Sequence, residues 1–192
     1  MESDMFASIR KLLIEKGLTQ DRADNFVSQL RHQKLSSKEI IFTEGDLNPP
    51  VVFVKSGMVR LFVTDEDGGI STRLISGPGT FAGCVHSVFY KSHSRYTCET
   101  IGSSEVIIIA DSLIQEALSR DSSRLLMQNI VIEKLLHMMH EKALMLPLKA
   151  TERYLFFRER YPKIVDKVPS GIIANYIGVR PQSLSRIKNS LK

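Results

Sequence analysis

Residues 168–192 read VPSGIIANYIGVRPQSLSRIKNSLK, the pattern of two short helices joined by a tight corner. Ser170 is placed to cap a first helix, whose apolar residues recur at helical spacing between positions 172 and 177. Gly178 can adopt a positive φ without steric cost, so it ends that helix and turns the chain. Pro181 is favoured at the start of a second helix because its missing N–H would have no partner there. The sequence therefore predicts a helix–turn–helix unit in this segment.

The second helix has one apolar and one polar face. Its apolar residues recur at steps of three and four and predict a buried stripe of Leu184, Ile187 and Leu191. The opposite face carries side chains that can pair with base edges in the major groove, namely Gln182, Ser185, Arg186 and Asn189. Phosphates would meet the flanking residues Arg180, Lys188 and Lys192. A helical hairpin whose polar face only meets water is the alternative, but cap, turn, proline and face together favour DNA binding.

Positive charge is concentrated in the same part of the chain. Residues 148–192 contain ten Lys and Arg against three Asp and Glu, a net charge of +7, whereas residues 1–147 contain sixteen against eighteen, a net charge of −2. A cationic unit beside a near-neutral body is typical of a protein that binds a polyanion. A membrane surface could attract the same charge, but no predicted helix has a long apolar face flanked by lysines, so we expect no membrane partner.

Length and composition indicate a folded, cytoplasmic protein. The 192 residues are 43% hydrophobic, which is enough for one domain and a smaller second one. Residues 1–4 are acidic and no apolar segment follows them, so we expect no signal peptide. The apolar run 106–110 is too short to span a bilayer. Cys84 and Cys98 are too far apart for a metal knuckle or a dithiol motif and are expected to be small buried hydrophobes.

From residue 33 onward the hydrophobic period changes to two, and glycine-containing turns interrupt it. Six short strands are predicted, at residues 39–42, 51–55, 58–64, 70–76, 96–101 and 105–109. Short antiparallel strands at this spacing predict a small barrel or jelly roll with room inside for one small ligand. Two helices precede them, at residues 6–16 and 20–31, and Phe26 and Leu30 are expected to point inward from the second.

A short helix is predicted at residues 112–119 and a long one at residues 122–146. Apolar positions in the long helix alternate between steps of four and three and form a heptad seam of Leu125, Asn129, Ile132, Leu136, Met139, Ala143 and Leu146. A second apolar set comprises Met127, Ile130, Val131, Leu135 and Met138, so the helix would face both the barrel and its twin in a homodimer. A buried helix within one chain is the alternative. Asn129 at a seam position would select the register and two-chain pairing.

Pro147 ends the long helix and marks a hinge, which divides the chain into two domains. Residues 1–147 form the barrel with its dimerisation helix at 112–147, and residues 148–192 form the DNA-binding unit. Within that unit a helix at residues 151–161, closed by Pro162, would back the two terminal helices.

This order of elements resembles the CRP/FNR family of bacterial transcription regulators over nearly the whole chain. The matching stretches are IFTEGD at 41–46, FVKSGMVR at 53–60, GTFAG at 79–83 and the terminal unit from Ile173 to Arg186. The resemblance implies an α+β fold, with a cyclic-nucleotide-binding-like jelly-roll barrel, a long dimerisation helix and a C-terminal, winged-helix-like helix–turn–helix domain. It also implies a homodimer that binds a palindromic operator and contacts RNA polymerase. The family's DNA-contacting positions fall on Pro181, Gln182, Ser183 and Arg186.

The resemblance also places an effector site in the barrel, at Gly83, Cys84, Arg95, Tyr96 and Met138. Cyclic-nucleotide binders have a ribose-binding Glu where this chain has Cys84, and an Arg followed by Ser or Thr where it has Arg95 followed by Tyr96. Met138 and Met139 fall where the long helix would offer hydroxyl groups to adenine. We therefore expect an effector other than cyclic AMP, or none, and no certain cofactor. Arg95 could attract an anion, or be an ordinary arginine at a strand end.

Other classes of function have weaker support in the sequence. A ligand-binding module that acts on a protein partner without touching DNA is one alternative, and a cupin-type metalloenzyme is another. Metal chemistry would need clustered ligands, whereas the barrel has only the isolated His86 and His93. His137 and His140, with Glu141, share a helix face but lack an evident further ligand. No catalytic residues are identified, so we expect neither an enzyme nor a metal site.

Overall fold

The computed structural model describes residues 6–162 and 164–191, without the side chains of residues 121 and 122. Two helices come first, α1 (Ala7–Glu15) and α2 (Gln20–Val27). The second was predicted to reach residue 31 but ends at Val27, and a strand, β1 (Arg31–Leu35), follows it. That strand was missed because its sequence, RHQKL, is polar and lies at the exposed edge of a sheet. Phe26 and Leu30 are buried, as predicted.

Among the residues that the structure describes, eight antiparallel strands form two four-stranded sheets. The remaining strands are β2 (Ile40–Phe42), β3 (Val51–Ser56), β4 (Val59–Thr64), β5 (Ile70–Ser76), β6 (Phe81–Ala82), β7 (Thr97–Thr100) and β8 (Ser104–Ile109). Their order is β1-β8-β3-β6 in one sheet and β2-β7-β4-β5 in the other. This arrangement confirms the jelly roll. The two-residue β6 and the short helix α3 (Val85–Tyr90) were not predicted, because neither is long enough to show a period.

Apolar side chains from the two sheets fill the centre of the barrel. The buried members of this cluster are Phe42, Val52, Val54, Val59, Leu61, Leu74, Ala82, Cys98 and Val106. These side chains pack together at the centre, and room for a ligand in or near the barrel stays a prediction. Tyr96 and Met138 pack against the margin of the cluster and are only partly buried.

The remaining secondary-structure elements of the described chain are helices. They are α4 (Asp111–Ser119), α5 (Asp121–Met145), α6 (Ala150–Arg160), α7 (Ser170–Ile177) and α8 (Pro181–Ser190). The described elements between residues 148 and 191 are all helices and turns. The β-strands that a winged-helix domain would add to the helix–turn–helix unit are not among them. The three terminal helices share one apolar cluster with Met58, Ile75 and Ile101 of the barrel. The C-terminal unit is therefore packed against the barrel.

Candidate nucleic-acid interface and sensor site

The corner between α7 and α8 forms as its residues indicate. Gly178 has φ 70°, and Val179 N–H donates to the Ala174 carbonyl at 2.9 Å. Pro181 occupies the first turn of α8. Leu184 and Ile187 are buried against α6 and α7, whereas Leu191 is 39% exposed, so the predicted stripe ends at Ile187. Ser170 was predicted to cap α7, but it is the first residue of that helix. Pro169 occupies the capping position, and no side-chain hydrogen bond caps the helix there.

The predicted DNA-contacting face of α8 is open to solvent. Its exposed residues are Arg180, Pro181, Gln182, Ser183, Ser185, Arg186 and Asn189. Lys188 is half-buried, because its Nζ donates to Ser170 Oγ at 2.8 Å and lies 5.7 Å from the centre of the Tyr154 ring. Lys192 lies outside the described residues. The geometry leaves the face available to a duplex, and the contacts with bases and phosphates stay predictions.

Arg153 on α6 braces this unit, a role that the sequence did not suggest. Its Nε donates to the Leu148 carbonyl at 2.9 Å and its Nη2 to the Leu146 carbonyl at 3.1 Å. Its Nη1 donates to the Ile177 carbonyl at 3.2 Å. One guanidinium thus satisfies carbonyls at the end of the long helix and at the end of α7. It ties the segment after α5 to the turn before α8.

A polar cluster joins the end of α5 to the terminal unit. Glu141, 7% exposed, accepts from Arg160 Nε at 2.6 Å and from the Tyr161 hydroxyl at 2.9 Å. Burial, followed by the neighbouring Tyr176 and Glu141, raises the pKa of Tyr161 well above its usual range. Arg160 also contacts His137. Glu141 is therefore engaged with α6, and no group of three or more potential metal-binding side chains occurs among the described residues.

The predicted seam of α5 lies on the surface of the single chain. Leu125, Ile132, Leu136 and Met139 are 63%, 52%, 62% and 68% exposed, and Asn129 and Ala143 are exposed as well. The opposite side of the helix packs inward, through Met127 and Ile130 against the first core cluster and Met138 against the barrel. A row of large apolar side chains facing water on one helix is typical of a surface that takes part in an interaction, and the pairing of two chains through it stays a prediction.

Comparison with known proteins agrees with this architecture. Residues 32–121 match the cyclic nucleotide-binding domain family. The barrel is thus similar to a cyclic nucleotide-binding domain. Beyond the barrel, the chain resembles solved structures over most of its length, although no curated protein matches its sequence.

Three solved structures illustrate this likeness. The c-di-GMP responsive global regulator CLP of Xanthomonas campestris has 17% identity and a TM-score of 0.68, over 94% of this chain and 91% of that chain. FixK2 from Bradyrhizobium japonicum has 20% identity and a TM-score of 0.72, over 84% of each chain. A protein from Eubacterium rectale, described as a transcriptional regulator of the CRP/FNR family, has 14% identity and a TM-score of 0.72, over 93% of this chain and 85% of that chain. The chain thus has the CRP/FNR fold, as the resemblance predicted.

In the barrel, the structure brings Cys84 beside the backbone of Arg95, and Tyr96 and Met138 both pack against the central apolar cluster. Cys84 is 1% exposed and accepts a hydrogen bond from the backbone N–H of Arg95, whose side chain is exposed. Burial raises the pKa of the Cys84 thiol, but this bond and those from Ser87 and Ser94 outweigh it, and the pKa lies below its ordinary value. Burial and the charge of Glu99 raise the pKa of the other thiol, Cys98, to about 12.

Gly83 lies where a side chain would meet the barrel. A Cβ at this position would lie 3.0 Å from the Val51 side chain. The two histidines considered as metal ligands have other surroundings: His86 Nδ1 is 2.8 Å from Ser92 Oγ, and His93 is exposed. No helix among the described residues combines the length and the apolar composition needed to cross a membrane.

Proposed function

We propose that this chain is a homodimeric, sequence-specific DNA-binding transcription regulator of the CRP/FNR type. The observation that carries the proposal is the exposed polar face of α8, with Gln182, Ser185, Arg186 and Asn189, held outward by the buried Leu184 and Ile187. Amide and guanidinium groups in this arrangement match the donor and acceptor patterns of the major groove. The net charge of +7 on residues 148–192 supports contact with phosphates.

The exposed seam of α5 supports a dimer. Two copies related by a twofold axis would present two recognition helices to a palindromic operator, with half-sites ~34 Å apart. In this cytoplasmic regulator, residues 1–147 sense the signal, residues 148–192 bind DNA, and RNA polymerase is the protein partner. The regulator description of similar folds supports a role outside catalysis.

An effector other than cyclic AMP would bind in or near the barrel. A carboxylate for ribose is missing at Cys84, whose buried thiol is held by backbone and hydroxyl donors. Met138 brings a thioether to the barrel margin in place of a hydroxyl. Tyr96 and Met138, partly buried at that margin, would contact the apolar part of such a molecule, and the exposed Arg95 an acidic part.

Selection on random duplexes, followed by binding at several salt concentrations, tests the proposal. Arg186→Ala should weaken binding to the selected site by ~1–3 kcal/mol and relax the base preference, because a bidentate contact to guanine is lost. Lys188→Ala should weaken binding to all sequences alike and reduce the salt slope.

Arg158→Ala is the matched control for Arg186→Ala. It removes the same charge from the exposed surface of α6, away from the base-reading face, so the base preference should persist. Wild-type protein that binds no duplex would instead support the module that acts on a protein partner. An unchanged base preference in the Arg186 variant would show that another surface reads the sequence.

A further inference from the structure

An asparagine of α7 pairs with the open edge of the barrel. Strand β5 is the last strand of its sheet, so one side of its backbone has no neighbouring strand. Asn175 occupies that side: its Oδ1 accepts from the Thr72 backbone N–H, and its Nδ2 donates to the Ile70 carbonyl. A carboxamide carries the same donor and acceptor as a peptide group. Asn175 therefore meets β5 as a residue of an adjacent strand would.

The strand that receives this contact is anchored from inside the sheet. Thr72 is 3% exposed, and its Oγ1 accepts from Arg60 Nη1 at 3.2 Å. Arg60 in turn donates through Nε and Nη2 to Glu99 Oε1, each at 2.6 Å. The Arg60 and Glu99 side chains are only 11% and 12% exposed, so this charge-assisted pair is poorly screened by water. The edge of β5 is a fixed support for α7.

Apolar packing surrounds the same contact. Ile75 of β5 and Met58 belong to one buried cluster with Tyr176 and Ile177, which follow Asn175 on α7. Apolar packing alone tolerates small sliding movements, whereas a pair of directional hydrogen bonds to one peptide edge admits a single register. Because the Gly178 turn joins α7 directly to α8, the register of α7 also sets the direction of the recognition face.

We propose that Asn175 is a positioning residue, which fixes the orientation of the recognition helix relative to the barrel by pairing with the backbone of β5. Its consequence for DNA rests on the proposed function, whereas the pairing itself can be measured without DNA. Aspartate at this position would place a second acceptor against the Ile70 carbonyl. Leucine, of similar size, would leave both backbone groups of β5 without their partner.

The first measurement is amide hydrogen exchange in the intact, DNA-free protein. In Asn175→Leu, the Thr72 amide should exchange about tenfold faster than in wild type, because its acceptor is lost. In Asn175→Asp it should also exchange faster, because the carboxylate faces the Ile70 carbonyl acceptor to acceptor and this repulsion weakens the pairing. The amide of Phe53, in a central strand of the other sheet, should be unchanged and so reports that the fold is intact. Asn25→Asp, at an exposed position of α2, is the matched control and should leave Thr72 protected. Unchanged exchange at Thr72 in both variants would overturn the pairing.

The second measurement uses palindromes made from the selected half-site, with the centre-to-centre separation varied in single base-pair steps around one helical turn. Wild type should prefer one separation. In both Asn175 variants, the ratio of the affinity for the best separation to that for the next best should fall about tenfold. Their affinity for a single half-site should be unchanged. A retained preference in variants whose Thr72 exchange has increased would overturn the positioning role alone. Wild type that binds no duplex would overturn the proposed function.

Discussion

Replacing Leu136 by aspartate should separate the two chains of the proposed dimer. In the single chain, Leu136 is 62% exposed at the middle of the α5 seam. Fully burying a leucine stabilises by ~1.5–3 kcal/mol, so covering its exposed part contributes ~1–2 kcal/mol in each chain and ~2–4 kcal/mol in the dimer. At 1.4 kcal/mol per factor of ten, losing this contribution raises the dissociation constant about 30- to 700-fold. Two carboxylates facing each other at the seam would raise it further.

Sedimentation velocity over a concentration series measures this constant directly. Leu144→Asp is the matched control: Leu144 is 48% exposed on the same helix but lies outside the heptad seam. It should leave the dissociation constant within a few fold of wild type. If the Leu136 and Leu144 variants associate equally well, or if wild type is monomeric throughout the series, the seam is not the dimer interface.

Two further predictions concern the barrel. Gly57→Ala should destabilise the fold by more than ~1 kcal/mol in thermal denaturation, because its Cβ would lie 2.6 Å from Ser104 Cα at φ 77°. Gly102→Ala is the control, because Gly102 has φ 74° but no atom within 4 Å of an added Cβ, so this variant measures backbone strain alone. An equal loss of stability in Gly102→Ala would refute the steric argument. In native alkylation followed by peptide mass spectrometry, Cys84 should react at lower pH than Cys98, since the pKa of Cys84 is lowered and that of Cys98 raised. A common pH profile would contradict those directions.

Local patterns predicted the elements whose residues carry strong signals. Gly178 and Pro181 marked the corner before α8, and the strand at 70–76 was predicted with its observed bounds. The seam of α5 was visible because one face of a long helix repeats its apolar residues over several turns. Elements that owe their existence to a neighbour were missed: β1 is polar and pairs with β8, and β6 has only two residues beside β3.

The sequence by itself determined the jelly roll, most of the helices and the polar face of α8, because periodicity and turn chemistry are properties of adjacent residues. Only the tertiary structure decided how the C-terminal helical unit is held. The hydrogen-bond partners lie in segments distant along the chain for three residues, Arg153, Glu141 and Asn175. A single polar residue forms no repeating pattern in the sequence, so such contacts could not be predicted from it. The same reason explains why the sequence could not show which apolar side chains meet at the centre of the barrel: the space between two sheets depends on how their side chains pack.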